Sequence, residues 1–168
     1  MDKAGVQQAL TSAGLSRLVE HIDLLVRPSI RINTKSVDES KLPIGASKFG
    51  GQPDLPPATP WPSWQDLPQS FVAQIRLEEL QPYDSQKLFP TKGILWFFYD
   101  SQQDVYGDDP ANKGAWQVLY ATDSLDKLQR TPLPAKLAQT ARFKPSSLSY
   151  SNELTMAVQP ELEIPGLQ

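Results

Sequence analysis

The chain has 168 residues, 16 Lys and Arg against 19 Asp and Glu, a formal charge of −3, 16 prolines and no cysteine. That length supports one domain with its own core, and the lack of thiols excludes disulfides, cysteine nucleophiles and thiolate metal sites. No basic stripe is present, which argues against nucleic acid as a partner, and the prolines argue against a helical bundle and for a loop-rich, largely β protein.

Met1-Asp2-Lys3 leads into polar residues with no signal-peptide apolar run. No segment is long and apolar enough to span a bilayer, so a soluble, cytoplasmic protein with no membrane partner is expected. Residues 3–26 read as helix. Val6, Ala9, Leu10 and Ala13 share a face, Gly14 interrupts, and Leu15, Leu18, Val19 and Ile22 recur at i, i+3, i+4 and i+7. Pro28 stops the helix. His21, the single histidine, sits beside this stripe near the C-terminal end, where the helix dipole favours a surface imidazole; no partner motif marks it as ligand or catalyst. Ile30 and Ile32 alternate with Arg31 and Asn33 and predict a strand over 29–34. Residues 35–42 form a polar connection.

Residues 47–64 are the most particular stretch. Gly50 and Gly51 meet Pro53, Pro56, Pro57, Pro60 and Pro62, and Trp61 and Trp64 close the run. Each proline fixes φ and removes an amide donor, and the residue before it is pushed to extended geometry. The expectation is an ordered, polyproline-like arm that leaves a strand at Phe49 and crosses the surface, pinned by the two indoles. The arm either covers a sheet or forms the lip of a groove.

Residues 70–76 predict a strand, with Phe71, Ala73 and Ile75 alternating with Val72, Gln74 and Arg76. Leu77-Glu78-Glu79-Leu80 predicts one helical turn, ended by Pro82. Residues 94–99, Ile-Leu-Trp-Phe-Phe-Tyr, are apolar on both faces and predict a central strand. After a polar, turn-rich loop over 100–114, residues 115–121 predict a strand antiparallel to 94–99. A short helix is expected within 122–129, an extended segment over 136–144, and short strands at 148–150 and 154–158; residues 160–168 show little that would anchor them. One domain over 1–168 accounts for the whole, an α+β fold in which an N-terminal helical segment precedes a mainly antiparallel sheet carrying the Pro/Trp-rich arm.

Familiar chemistry is sparse. There is no G-x-S-x-G elbow, no Walker loop and no H-E-x-x-H or paired His spacing. Asp100, Asp104, Asp108 and Asp109 share a loop but lack the ordered ligand spacing of a calcium site, and read as a solvated acidic loop. Asp54, Asp66, Glu78 and Glu79 flank the arm and supply carboxylates for a hydrolase acting on a carbohydrate or similar ligand, though their spacing selects no pair. Gln74 and Arg76 share a strand face with Val72 and are placed to hydrogen-bond carbonyls that the prolines leave without donors.

Four blocks in series resemble one family: Gly45-Ala46-Ser47-Lys48-Phe49-Gly50-Gly51-x-Pro53-Asp54-Leu55-Pro56, then Trp61-Pro62, then Phe71-Val72-Ala73-Gln74-Ile75-x-Leu77-x-Glu79-Leu80, then Pro90-x-x-Gly93-x-Leu95-x-Phe97-Phe98. Their order and spacing are similar to the YwqG-like family, a bacterial group catalogued as a domain of unknown function. The resemblance covers residues 28–100 closely and the rest loosely. It implies an α+β domain rich in antiparallel strands and no established catalytic residues. Members are often longer at the C-terminal end, so the chain is either a short member or a fragment. The leading expectation is a non-enzymatic domain that binds a protein partner in a groove bordered by 47–64, with Lys48, Trp61, Trp64, Gln74 and Arg76 facing the partner and no cofactor or metal. The carboxylate hydrolase and a purely structural domain are the alternatives.

Overall fold

The computed structural model describes residues 3–25, 27–30, 32–33, 36–142, 151–152 and 160–163. The N-terminal stripe folds as α1 (Lys3–Ser12), a 3₁₀ turn at Ser16–His21 and α2 (Ile22–Leu25). The helical segment read over 3–26 is thus broken at Gly14, where the interruption was expected, and its second part is a 3₁₀ turn and a short α-helix. Gly14 takes φ +74°, which glycine reaches without strain, and the Leu15 amide turns back to the Leu10 carbonyl at 2.8 Å. Val6, Leu10 and Ile22 are buried together against Leu15, Leu18 and Val19, while Ala9 and Ala13 face outward. His21 is exposed on the 3₁₀ turn. Among the described residues no helix is long and apolar enough to cross a membrane.

The strands follow as β1 (Arg27–Ile30), β2 (Ser36–Val37), β3 (Lys48–Phe49), β4 (Asp54–Leu55), β5 (Ser63–Trp64), β6 (Leu67–Pro68) and β7 (Ser70–Arg76). After the turn α3 (Leu77–Leu80) come β8 (Ile94–Tyr99), β9 (Trp116–Ala121) and β10 (Gln129–Arg130), then α4 (Ala135–Thr140), β11 (Ser151–Asn152) and β12 (Pro160–Glu163). The fold is α+β. Its centre is an antiparallel sheet in the order β3-β7-β8-β9. The apolar run 94–99 lies inside this sheet, as its two-sided hydrophobicity requires: Ile94, Trp96 and Phe98 are buried, and Leu95, Phe97 and Tyr99 half-buried on the other side.

Register divides the sheet into two unlike faces. Lys48, Gln74, Trp96 and Leu119 form one row across it, and Phe49, Ala73, Phe97 and Val118 form a row on the opposite face. A β-bulge between Phe71 and Ala73 shifts the β7 register. Val72 is the extra residue and is exposed, and Phe71 joins Gln74 on the first face, where its ring meets Phe98 at a centroid distance of 5.6 Å. The simple alternation that put Gln74 and Arg76 with Val72 fails here because the bulge inverts side-chain parity within the strand.

Two more expectations are corrected. Residues 136–144, expected to be extended, begin instead in α4, whose Leu137 is buried; Pro134 precedes the first turn, where its missing amide costs nothing. Residues 160–168 were expected to lack an anchor, yet β12 pairs antiparallel with β1, Arg27 opposite Glu163 and Ile30 opposite Pro160. The strands expected at 148–150 and 154–158 lie outside the described residues.

Candidate functional site

The polar residues that the sheet gathers lie on its first face, beneath the arm. Asp54 on β4 is fully buried, and four donors reach its two oxygens. Arg130 Nε and Lys48 Nζ approach Oδ1 at 3.0 and 3.5 Å, and the Gly45 amide and Gln74 Nε2 approach Oδ2 at 2.9 and 2.8 Å. A carboxylate has about four lone-pair sites, so this one is saturated. Lys48, also fully buried, donates in addition to Glu39 Oε1 at 3.0 Å. Arg130 donates onward to the carbonyls of Glu39 and Leu42 at 2.8 and 3.3 Å. Gln74 accepts from the Asp54 amide at 2.8 Å and donates to the Ala46 carbonyl at 2.7 Å.

Two cations therefore face two anions with no net charge, the condition under which buried ions are tolerated. Burial pushes the Lys48 pKa down from its ordinary value, against the opposing pull of Asp54 and Glu39. Burial pushes Asp54 up, but the Arg130 guanidinium, Lys48, the Gly45 amide and Gln74 outweigh it and hold the carboxyl below its ordinary value. Gly51 is needed at the rim: its φ is +69°, and a Cβ there would lie 2.3 Å from the Glu39 carboxylate.

The arm enters the core in part: Pro53, Asp54, Leu55 and Pro62 are buried, while Pro57, Ala58 and Pro60 run exposed between them. Its prolines leave carbonyls, and specific donors meet them. The Thr131 amide reaches Pro53 O at 2.8 Å, Thr59 Oγ1 reaches Pro56 O at 2.8 Å, and the Gln69 amide reaches Pro62 O at 2.9 Å. Trp61 packs edge-on to Phe98 at 5.4 Å, and its Nε1 donates to the Gln69 carbonyl at 2.9 Å. Trp64 stands on the β5–β6 hairpin, its ring beside Gly114.

The five residues singled out from the sequence therefore do not meet at one surface. Lys48 and Gln74 join the Asp54 cluster. Trp61 is tied into the core, Trp64 lies on a separate hairpin, and Arg76 is half-buried with Nε 3.6 Å from Glu78 Oε2. Its amide, rather than its side chain, ties the arm, donating to Ser47 Oγ at 2.8 Å. Glu39 and Arg130 are members of the cluster that sequence reasoning missed. Arg130 lies 76 residues from Asp54, and no motif spacing links them. Of the carboxylates near the arm, Asp54 is wholly engaged, Asp66 and Glu78 are exposed and Glu79 is half-buried. Asp100 is buried and accepts from the amides of Gln102 and Asp104 at 3.0 and 3.2 Å, so it shapes its own loop. Among the described residues no group of His, Cys, Asp and Glu is placed to hold a metal ion.

The open space lies on the other face. A cavity of about 330 Å³ is floored by Ile75, Leu95 and Phe97 and walled by Ile30, Ile32 and Leu80. Leu88 and Phe89, both exposed, form its rim. Asp84 fixes that rim by accepting from the amides of Leu88 and Phe89 at 3.0 and 2.8 Å. No residue of 47–64 lines the cavity.

An α+β domain with one face closed by a saturated ionic cluster and the other opening on an apolar cavity is the class these features define. Residues 47–164 match the family described as Domain of unknown function (DUF1963), and the chain belongs to that family. No curated protein matches the chain.

Proposed function

We propose that this is a non-enzymatic binding domain whose apolar cavity receives side chains of a protein partner. The observation that carries the reading is the cavity floored by Ile75, Leu95 and Phe97, with Leu88 and Phe89 standing exposed at its mouth. Preformed apolar concavities with few polar groups are the usual form of binding sites, and exposed Leu and Phe at such a rim are typical anchors for a partner. The polar cluster supports the same reading from the opposite side. Its charged atoms are consumed by one another and by the arm's backbone, so Lys48, Gln74 and Trp61 act as supports of the fold. The four sequence blocks further support placing the chain in the YwqG-like group, and with it a bacterial origin.

Photo-crosslinking from benzoylphenylalanine at position 89 in host cells tests the proposal. A discrete adduct with another protein, lost on Leu88→Glu while circular dichroism stays unchanged, is the expected result. Adducts confined to the chain itself, or a small molecule retained in native mass spectrometry and no protein adduct, would overturn it.

A further inference from the structure

We propose that the outer edge of β9 pairs with the same edge of a second copy of this chain, antiparallel about a two-fold axis through Val118, to make one continuous eight-stranded sheet. β9 ends the strand order, and its register with β8 runs without a bulge from Trp116 to Ala121. An edge strand of this kind offers a row of backbone donors and acceptors. Proteins that stay monomeric blunt such edges with charge, proline or a bulge. β9 has none of these: residues 114–122 read Gly-Ala-Trp-Gln-Val-Leu-Tyr-Ala-Thr, without a charge or a proline. Its outward row on the cavity face is apolar and open, with Trp116, Val118 and Tyr120 at 45, 52 and 47% exposure.

The pattern is also self-complementary, which is what selects a second copy as the occupant. A two-fold axis perpendicular to the sheet keeps each side chain on its own face, so residues that oppose one another must share parity, and the axis must pass through a residue. Centred on Val118, the pairing sets Val118 against Val118 and Trp116 against the second copy's Tyr120, apolar pairs that favour antiparallel association. The same register has a consequence outside the strand. Lys113 lies on the turn that leads into β9 and Asp123 just past its end, so the pairing brings the Lys113 end of each copy towards the Asp123 end of the other; both residues are exposed in the single chain. The inference rests on the strand edge and its sequence, and stands independently of what the cavity binds.

The test uses the full chain. Sedimentation velocity from about 1 to about 100 µM should show a monomer–dimer equilibrium, and Val118→Lys, which sets two ammonium groups on the axis, should raise the dissociation constant at least about tenfold while circular dichroism is unchanged. Lys113→Asp should weaken the dimer and the added Asp123→Lys should restore it. The absence of cysteine makes a cross-link unambiguous. Val118→Cys should form a disulfide with its own copy under mild oxidation, since facing Cα atoms in an antiparallel pair lie about 4.5–5.5 Å apart, whereas Leu24→Cys on the exposed side of α2 should not. A chain that stays monomeric throughout the range, a dimer indifferent to Val118→Lys, or equal cross-linking from positions 118 and 24 would overturn the proposal.

Discussion

The two faces of the β3-β7-β8-β9 sheet solve opposite problems with the same strands. On one, β7 contributes Gln74 and β3 contributes Lys48 to a cluster in which each buried charge has a partner. On the other, a residue away along β7 and β8, Ile75, Leu95 and Phe97 floor a cavity with an exposed rim. The contrast teaches that polarity is a poor guide to where this domain keeps open space. The charged cluster is sealed inside, where it fixes the arm, and the open face is apolar, floored by Ile75, Leu95 and Phe97 with Trp116, Val118 and Tyr120 exposed alongside.

The largest expected effect breaks the closed face. Asp54→Ala leaves Lys48 buried and removes a partner of Arg130, and should cost about 3–5 kcal/mol, the usual penalty for breaking a buried ion pair; urea unfolding at neutral pH measures it. Next is Trp61→Ala, which removes the edge-on contact with Phe98 and the bond to Gln69. Core aromatic truncations cost about 3–5 kcal/mol, and because Trp61 is only partly buried about 2–4 kcal/mol is expected in the same assay.

A pH series sharpens the comparison. The Asp54 carboxyl is held below its ordinary value of 3.8, so its stabilisation is complete above that pH and is lost as pH falls through the lowered folded value. Lys48 slopes the same way at the alkaline end. Folding disfavours its charged form, so its contribution to stability rises as pH climbs through its lowered value towards 10.5. Asp54→Asn should flatten the acid limb of a stability–pH curve; an unchanged limb would show that Asp54 does not govern it. The smallest effect is on the open face. Leu88 is 72% exposed, so Leu88→Ser should change stability by no more than about 0.5 kcal/mol in thermal unfolding while weakening partner capture.

Much of the fold was legible because its strands carry their own signals. The spans 70–76 and 94–99, the turn 77–80 and the antiparallel partner near 115–121 follow from alternation, two-sided hydrophobicity and proline or glycine boundaries. Errors arose where one residue or a remote contact decides. The stripe after Gly14 tightens into a 3₁₀ turn, and the Val72 bulge inverts a strand face that alternation alone would assign wrongly. α4 forms over 135–140 despite the prolines just before it, because Leu137 finds a buried place. The cluster was half legible. Lys48 and Gln74 were picked out, but as residues facing a partner, and neither Glu39 nor Arg130 carries a local signal, since only the folded chain brings them to Asp54. The cavity was not legible at all: its lining comes from four separate segments, and apolar residues in strands and turns read simply as core.

The reach of the Asp54 cluster bears on how the domain breathes. Segments near residues 39, 45, 54, 74 and 130 are tied through one carboxylate and its neighbours, so the arm cannot lift away without stripping Asp54 of its donors and taking its carboxylate from Lys48 and Arg130. Local fraying is therefore suppressed there, and the arm and sheet open as a single cooperative unit. The amides of Gly45 and Asp54 should exchange with deuterated solvent only as slowly as those at the centre of β8. Amides of the 84–89 rim, two of them held by the half-buried Asp84 side chain, should exchange through far smaller openings, leaving the domain rigid beneath its arm and pliant at the mouth of the cavity.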